Sequence, residues 1–239
     1  MFLQSIDILL QDPIVFIRVF SSFLATAGTA LLLAITIHEF SHALIAYNLG
    51  DSTAHKLGRL SLNPIKHLDP MGSMMLILVG FGWGKPVPVN PYNLRNGSKN
   101  GMSMVSLAGP LSNLITAAIC SIPIRLNILD WHSPFRFTGL AGSGPLELLS
   151  TILGFMIFYN LILAIFNLIP LYPLDGSKIL IGILPNNTAS TFSRWEPAGP
   201  AILLSIIMID WITGLNILWS FLAPITDMLV FILLGQKLG

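Results

Sequence analysis

The stretch LLLAITIHEFSHALIAY, Leu31–Tyr47, sets two histidines and a glutamate inside a run of otherwise apolar and small residues. Taken from Leu24, the run is long enough to cross a bilayer as a helix, which needs about 20 apolar residues. An isolated charge at the centre of such a helix costs about 3 kcal/mol, so His38, Glu39 and His42 call for compensation from elsewhere in the chain. Histidines at i and i+4 project from one helix face, close enough for both imidazoles to bind one Zn²⁺ ion. A glutamate between them can take a proton from water at that ion. HEFSH has this form, and a metal offsets the cost of burying the carboxylate.

The rest of the composition agrees with a membrane setting. Of 239 residues, 54% are hydrophobic and only 10% are charged, against roughly 25% charged in soluble domains, so there is too little polar surface to cover a soluble globule. The chain reads as an integral membrane protein in contact with the lipid bilayer. Its net charge of +1 is close to neutral and its basic residues lie in short loops, which excludes a nucleic-acid partner. The single cysteine, Cys120, sits in an apolar stretch and reads as a small core hydrophobe. The N-terminal MFLQSIDILLQDP lacks a basic region and a small-residue cleavage site, so it reads as a retained segment at the membrane interface.

Further candidate spans are Gly101–Pro123, Leu146–Ile169 and a pair within Ala198–Leu234 that turns near Asp210–Asn216. Met71–Trp83 is apolar but short, and it runs into GFGWGKPVPVNPYN, where alternating Pro and Val favour extended backbone. The expected fold is an all-α membrane protein: a polytopic helical bundle of about five spans with a re-entrant extended segment, forming one domain over residues 1–239.

Topology constrains the chemistry. If Met71–Trp83 enters and leaves by one face, the loops Asn48–Asp69 and Lys85–Asn100 share a side that holds Lys56, Arg59, Lys66, Lys85, Arg95 and Lys99. The positive-inside rule makes that side cytoplasmic. Gly101–Pro123 then runs outward, and Leu146–Ile169 returns to deliver NLIPLYPLDGSKIL, Asn167–Leu180, to the same half as His42. A catalytic zinc generally takes three protein ligands, and Asp175 is the one acidic residue this path brings to the right place. On spacing alone Asp175 serves equally well as a helix N-cap or turn residue, because DGSKILIGIL can open a helix.

HEFSH within a span and NLIPLYPLDG ending a later one resemble the site-2 protease family of intramembrane zinc metalloproteases, which cleave transmembrane helices of other proteins. The blocks HEFSHALIAYNLGD, GRLSLNP, FGWGKPVPVNPYNLR, AGPLSN and NLIPLYPLDG follow in the order of the compact branch without PDZ or CBS domains. The resemblance implies a zinc metalloendopeptidase of HExxH type, with Zn²⁺ on His38, His42 and Asp175 and Glu39 as catalytic base. It further implies transmembrane protein substrates. A short chain with no targeting extension suits a prokaryotic plasma membrane, and the topology above puts the active site toward its cytoplasmic half. The family's polar helix motif, Gly followed four residues later by Asn, falls on Gly109 and Asn113. Ser177 stands where a second glycine after Asp-Gly is expected.

Asn113 and Asn167 are amide side chains in apolar spans; they could bind a freed substrate backbone, orient the site, or simply bond between helices. The FGWGKPVPVN segment offers an extended edge for strand addition by an unwound substrate, or a purely structural turn. His55, His67 and His132 read as solvated or interfacial loop residues, and Asp51 and Asp69 as turn or cap residues. Two other function classes compete: an ion or proton transporter or channel using buried His and Glu, and a silent membrane adaptor. The first leaves the pairing of HEFSH with PLDG unexplained, and the second has no need of Glu39.

Overall fold

The computed structural model describes residues 12–79, 82–137, 139–140 and 143–238; the expected interfacial stretch of the N-terminal eleven residues lies outside them. In chain order the helices are α1 Pro13–Asn48, α2 Thr53–Lys56, α3 Pro70–Val79, α4 Ser98–Arg125, α5 Pro145–Asn167, α6 Asp175–Ile183, α7 Asn186–Ser193, α8 Gly199–Thr213 and α9 Ile217–Leu234. No strand occurs among the described residues, and the only sheet-like pairing there is an isolated antiparallel bridge between Leu68 and Gly84. The chain is the all-α bundle that its sequence implies.

Helix α1 starts where local chemistry starts it. Asp12 accepts hydrogen bonds from the Ile14 and Val15 amides at 3.1 Å, while Pro13 takes the first helical position, where a missing N–H is harmless. Ala27, Ala30, Ala34, His38 and His42 are buried along one face at helical spacing, and from Thr36 onward the opposite face is buried as well, at Thr36 and Ala43. The alanines let α5 approach closely, so that Phe155 and Met156 pack on Ala27 and Ala30. The two histidines are the continuation of this packing stripe toward the helix C-terminus.

Helices α1, α4 and α5 pack against one another as the core, α6 lies along α4, and α9 covers α5 and α4. Ala117, Ile124, Ile157, Leu161, Val230 and Leu234 fill the second contact. Cys120 is half-buried against both clusters, as a small core hydrophobe should be. Four helices, α1, α4, α5 and α9, are long and apolar enough to cross a bilayer. The fifth expected crossing, α8, is an apolar helix of only 15 residues and so reaches only about 22 Å at 1.5 Å per residue. It turns into α9 where the sequence placed the turn, through left-handed Gly214 and Asn216. Exposed Trp211, Ile212, Phe221, Phe231 and Ile232 on this pair present the apolar exterior that lipid requires.

The segment between Leu68 and Gly84 leaves the bundle and returns to its starting point. Lys85 donates its amide to the His67 carbonyl at 2.8 Å beside the Leu68–Gly84 bridge. A Cβ on Gly72 would lie 2.1 Å from the Trp83 carbonyl oxygen, so only glycine allows the returning chain so close to α3. Both flanking loops therefore share one side, as the re-entrant reading requires.

One loop histidine departs from its expected surroundings, and one aspartate does more than expected of it. His67 is fully buried rather than solvated, with Nε2 2.7 Å from the Ser61 carbonyl. Asp51 is also fully buried and does more than cap a turn. It accepts from the Thr53 amide and hydroxyl, the Asn90 amide and the Asn93 side chain, joining the end of α1 to the far end of the extended segment. Burial pushes its carboxyl upward, but these hydrogen bonds outweigh that and hold it below the usual carboxylate range.

Candidate metal centre

His38 and His42 stand one turn apart on α1 with perpendicular rings, their centroids 4.6 Å apart. Each ring is fixed through Nδ1. The Nδ1 of His42 lies 2.7 Å from the Val105 carbonyl of α4, which can only accept, so this nitrogen carries the proton. The Nδ1 of His38 lies 2.6 Å from Asn113 Oδ1. Asn113 in turn donates its Nδ2 to Asn160 Oδ1 at 2.7 Å and to the Ala34 carbonyl at 3.1 Å, which identifies Oδ1 as the acceptor facing His38. With Nδ1 engaged in this way each ring turns its Nε2 inward, the orientation that outer hydrogen bonds impose on metal-binding histidines.

Asp175 meets them at the start of α6. Its Oδ2 lies 3.1 Å from each Nε2. Gly176 explains how the aspartate gets there: a Cβ on it would sit 2.3 Å from the Leu168 carbonyl and 2.4 Å from that of Ile169, so the close return of α6 onto the end of α5 needs glycine. Ser177, in place of a second glycine, is fully buried and bonds its hydroxyl to the Leu174 carbonyl at 2.7 Å, closing the first turn of α6 without disturbing Asp175.

The three residues offer ligand atoms that all lie within 4.8 Å of one another. Two imidazole lone pairs and a carboxylate oxygen facing each other with no hydrogen between them repel unless a cation or proton sits among them. Space is kept for it. A Cβ on Gly109 would lie 2.5 Å from His42 Nε2 and 2.6 Å from His38 Nε2, so the absence of a side chain at this position leaves the cradle open. Two nitrogens, one oxygen and a clear fourth direction fit the donor set of a catalytic zinc.

Glu39 lies beside this cradle, half-buried, with Oε2 accepting the Val87 amide at 3.2 Å. Asn113 is fully buried with its amide engaged inside the bundle, where its Oδ1 meets His38 and its Nδ2 meets Asn160. Asn167 is not brought to the cradle by any hydrogen bond; it donates to Leu163 within its own helix at 2.9 Å. Asn160, which the sequence reading passed over, is fully buried and completes the chain of amides behind His38, its Nδ2 bonded to the Met156 carbonyl at 2.8 Å. The signal was present: it is an amide in an apolar span just as Asn113 is.

A bundle of membrane-length helices around a His-His-Asp cradle, with a glutamate next to one histidine, defines the class of integral membrane metallopeptidases. The model of peptidase family M50 matches residues 26–209, a range that holds all four of these residues, and the chain belongs to that family, as its motifs suggested. The Bacillus subtilis protein "Putative zinc metalloprotease YwhC" is 38% identical over 192 residues, covering 80% of this chain and 83% of that protein. "Putative zinc metalloprotease Rip2" of Mycolicibacterium smegmatis is 33% identical over 170 residues, covering 69% of this chain and 58% of its own length. Its namesake in Mycobacterium tuberculosis strain H37Rv is 29% identical over 189 residues, with 77% and 66% covered. No solved structure matches the chain.

Proposed function

We propose that the protein is an intramembrane zinc endopeptidase that hydrolyses peptide bonds in or near transmembrane segments of other proteins. His38, His42 and Asp175 hold the ion and Glu39 is the catalytic base. The observation that carries this reading is the convergence of three ligand atoms from two distant parts of the chain, within 4.8 Å, beside the half-buried carboxylate of Glu39. Zinc, when bound, supplies Lewis acidity and brings a water's pKa toward 7.

The chain's own residues do the rest. Asn113 and Val105 keep both imidazoles turned inward by holding their Nδ1 protons. Glu39 has one oxygen tied to the Val87 amide, which fixes the carboxylate plane, while Oε1 is left to take a proton as a peptide carbonyl is attacked and to return it to the leaving nitrogen. A substrate helix must be opened locally, because its carbonyls are otherwise bonded within the helix. The extended segment offers it a place to pair. Its Lys85 and Val87 groups are already engaged toward the bundle, and the outward Pro86 and Pro88 have no N–H, so this edge receives substrate amides on carbonyls alone. The cluster of basic loop residues beside α1 supports a site in the cytoplasmic half of the membrane.

The test is cleavage of a transmembrane model substrate by purified protein in liposomes, with zinc counted per chain and Glu39→Gln as the comparison. The proposal expects zinc retained and cleavage lowered by about 10²- to 10⁴-fold in the variant. Undiminished cleavage removes Glu39 from the mechanism, and ion flux without hydrolysis would favour the transport reading instead.

A further inference from the structure

The block GRLSLNP, Gly58–Pro64, has no task in the mechanism above, yet it contains a cation in an unusual place. Arg59 is 6% exposed, and no carboxylate lies within ion-pair distance of it among the described residues. Burying an unpaired guanidinium costs several kcal/mol, so a chain that does so without a counter-ion needs a reason. Its Nη2 donates to the backbone carbonyl of Lys85. Its Nε is buried without a partner, and so is Nδ1 of the neighbouring, fully buried His67.

Both residues hold the same point of the extended segment. The His67 carbonyl accepts the Lys85 amide at 2.8 Å and Arg59 grips the Lys85 carbonyl, so the two polar groups of one residue are clamped on one side. The next two residues have little freedom to lose that setting. Pro86 and Pro88 fix their own φ, and each pushes the residue before it, Lys85 or Val87, into extended backbone. The following amide on the clamped side is that of Val87, which meets Glu39 Oε2. Gly84 brings the segment against α1 at the same level: a Cβ on it would lie 3.1 Å from Ile35 Cγ2 and 4.0 Å from Glu39 Oε1.

We propose that Arg59 is a positioning residue for peptide hydrolysis: by clamping the Lys85 carbonyl it sets the register of residues 84–88 on α1 and so places the Val87 amide on Glu39. A buried guanidinium suits this task because it is rigid, permanently charged and strongly held by a carbonyl. The proposal rests on Glu39 as the base, but the clamp itself has a readout that does not.

In a Cys120→Ser background, cysteines at positions 35 and 84 can report on this contact: a Cβ at 84 lies 3.1 Å from Ile35 Cγ2, which puts the two Cβ atoms about 4–4.6 Å apart, at the upper edge of the roughly 3.5–4.5 Å that a disulfide needs. Oxidative cross-linking of the purified full chain in detergent then reports where the segment lies. With Arg59→Met we expect cross-linking to fall several-fold. Without the cysteine pair, we expect kcat to fall about 100-fold, the penalty of a misplacement near 1 Å, with zinc content and KM little changed. Arg59→Lys, which keeps a cation and one donor, restores part of both signals and serves if the methionine variant does not fold. Cross-linking and kcat both unchanged in Arg59→Met overturn the proposal, as does a loss of zinc in step with activity in Arg59→Lys, which would mark a merely structural role. If Glu39→Gln proves active while Arg59→Met still lowers cross-linking, the clamp stands and the assignment of the base falls.

Discussion

Replacing Gly109 by alanine adds one methyl group to the floor of the cradle and nothing else. The added carbon would be 2.5 Å from His42 Nε2, 2.6 Å from His38 Nε2 and 2.6 Å from His38 Cε1. Ordinary carbon–nitrogen contact begins near 3.4 Å, so the rings must retreat by almost 1 Å. They cannot retreat freely, because Nδ1 of each is tied to Val105 or Asn113. Zinc–nitrogen bonds tolerate departures of only about 0.2 Å from 2.0–2.1 Å, and the loss in affinity should exceed the 10- to 100-fold typical of damage to the outer hydrogen bonds of a site. The assay is zinc per chain by elemental analysis after equilibration with a graded set of chelators. Gly28→Ala is the control, since a Cβ there, on the helix that carries the two histidines, meets nothing within 4 Å, and it should keep wild-type zinc. Full zinc occupancy in Gly109→Ala, at the same chelator strength as in the control, would refute the claim that this glycine keeps the space for the ion.

Asn113→Leu removes the acceptor of the His38 proton and leaves Asn160 without its partner; zinc affinity, read by chelator competition, should fall by about 10- to 100-fold, and Asn160→Leu should produce a smaller loss of the same kind. Gly176→Ala forces a carbon to 2.3 Å from a backbone carbonyl and should lower the melting temperature together with zinc content, since backbone on both sides of the clash must move. Asp51 gives a pH signature. Its carboxyl is held below the usual range in the folded protein, so its contribution is present above the unfolded value of about 3.9 and is lost as pH falls through the folded value. Asp51→Asn should therefore destabilise the protein at neutral pH by about 1–3 kcal/mol while flattening the loss of stability on the acid side, both read by thermal melts in detergent from pH 7 down to about pH 3.

What the sequence could disclose, and what it could not, divides along the distance over which each feature is determined. HEFSH is decided within one turn of one helix, and the alanine stripe before it needs only helical spacing, so both are legible in Leu24–Tyr47. Asp175 required a path through the membrane, and the path could be drawn because hydrophobic lengths and basic loops are long-range information carried by composition. The crossing count was less secure at α8, where an apolar run reads as a span until its caps cut it to 15 residues. His67 departs from its expected setting for a different reason: a polar loop in the sequence implies solvent, and only the contact from Lys85 to the His67 carbonyl, together with those from Asn90 and Asn93 to Asp51, turns that loop inward. Those contacts exist because Lys85–Asn90 is stiffened by its prolines and cannot fold onto itself. Its backbone polar groups must then find partners in the facing loop, or lose solvation without recompense. The polar loop and the Pro-Val stretch are thus one structural unit in two pieces of sequence. Its rigidity is what makes Glu39, at its inner edge, a residue whose orientation is set from outside its own helix.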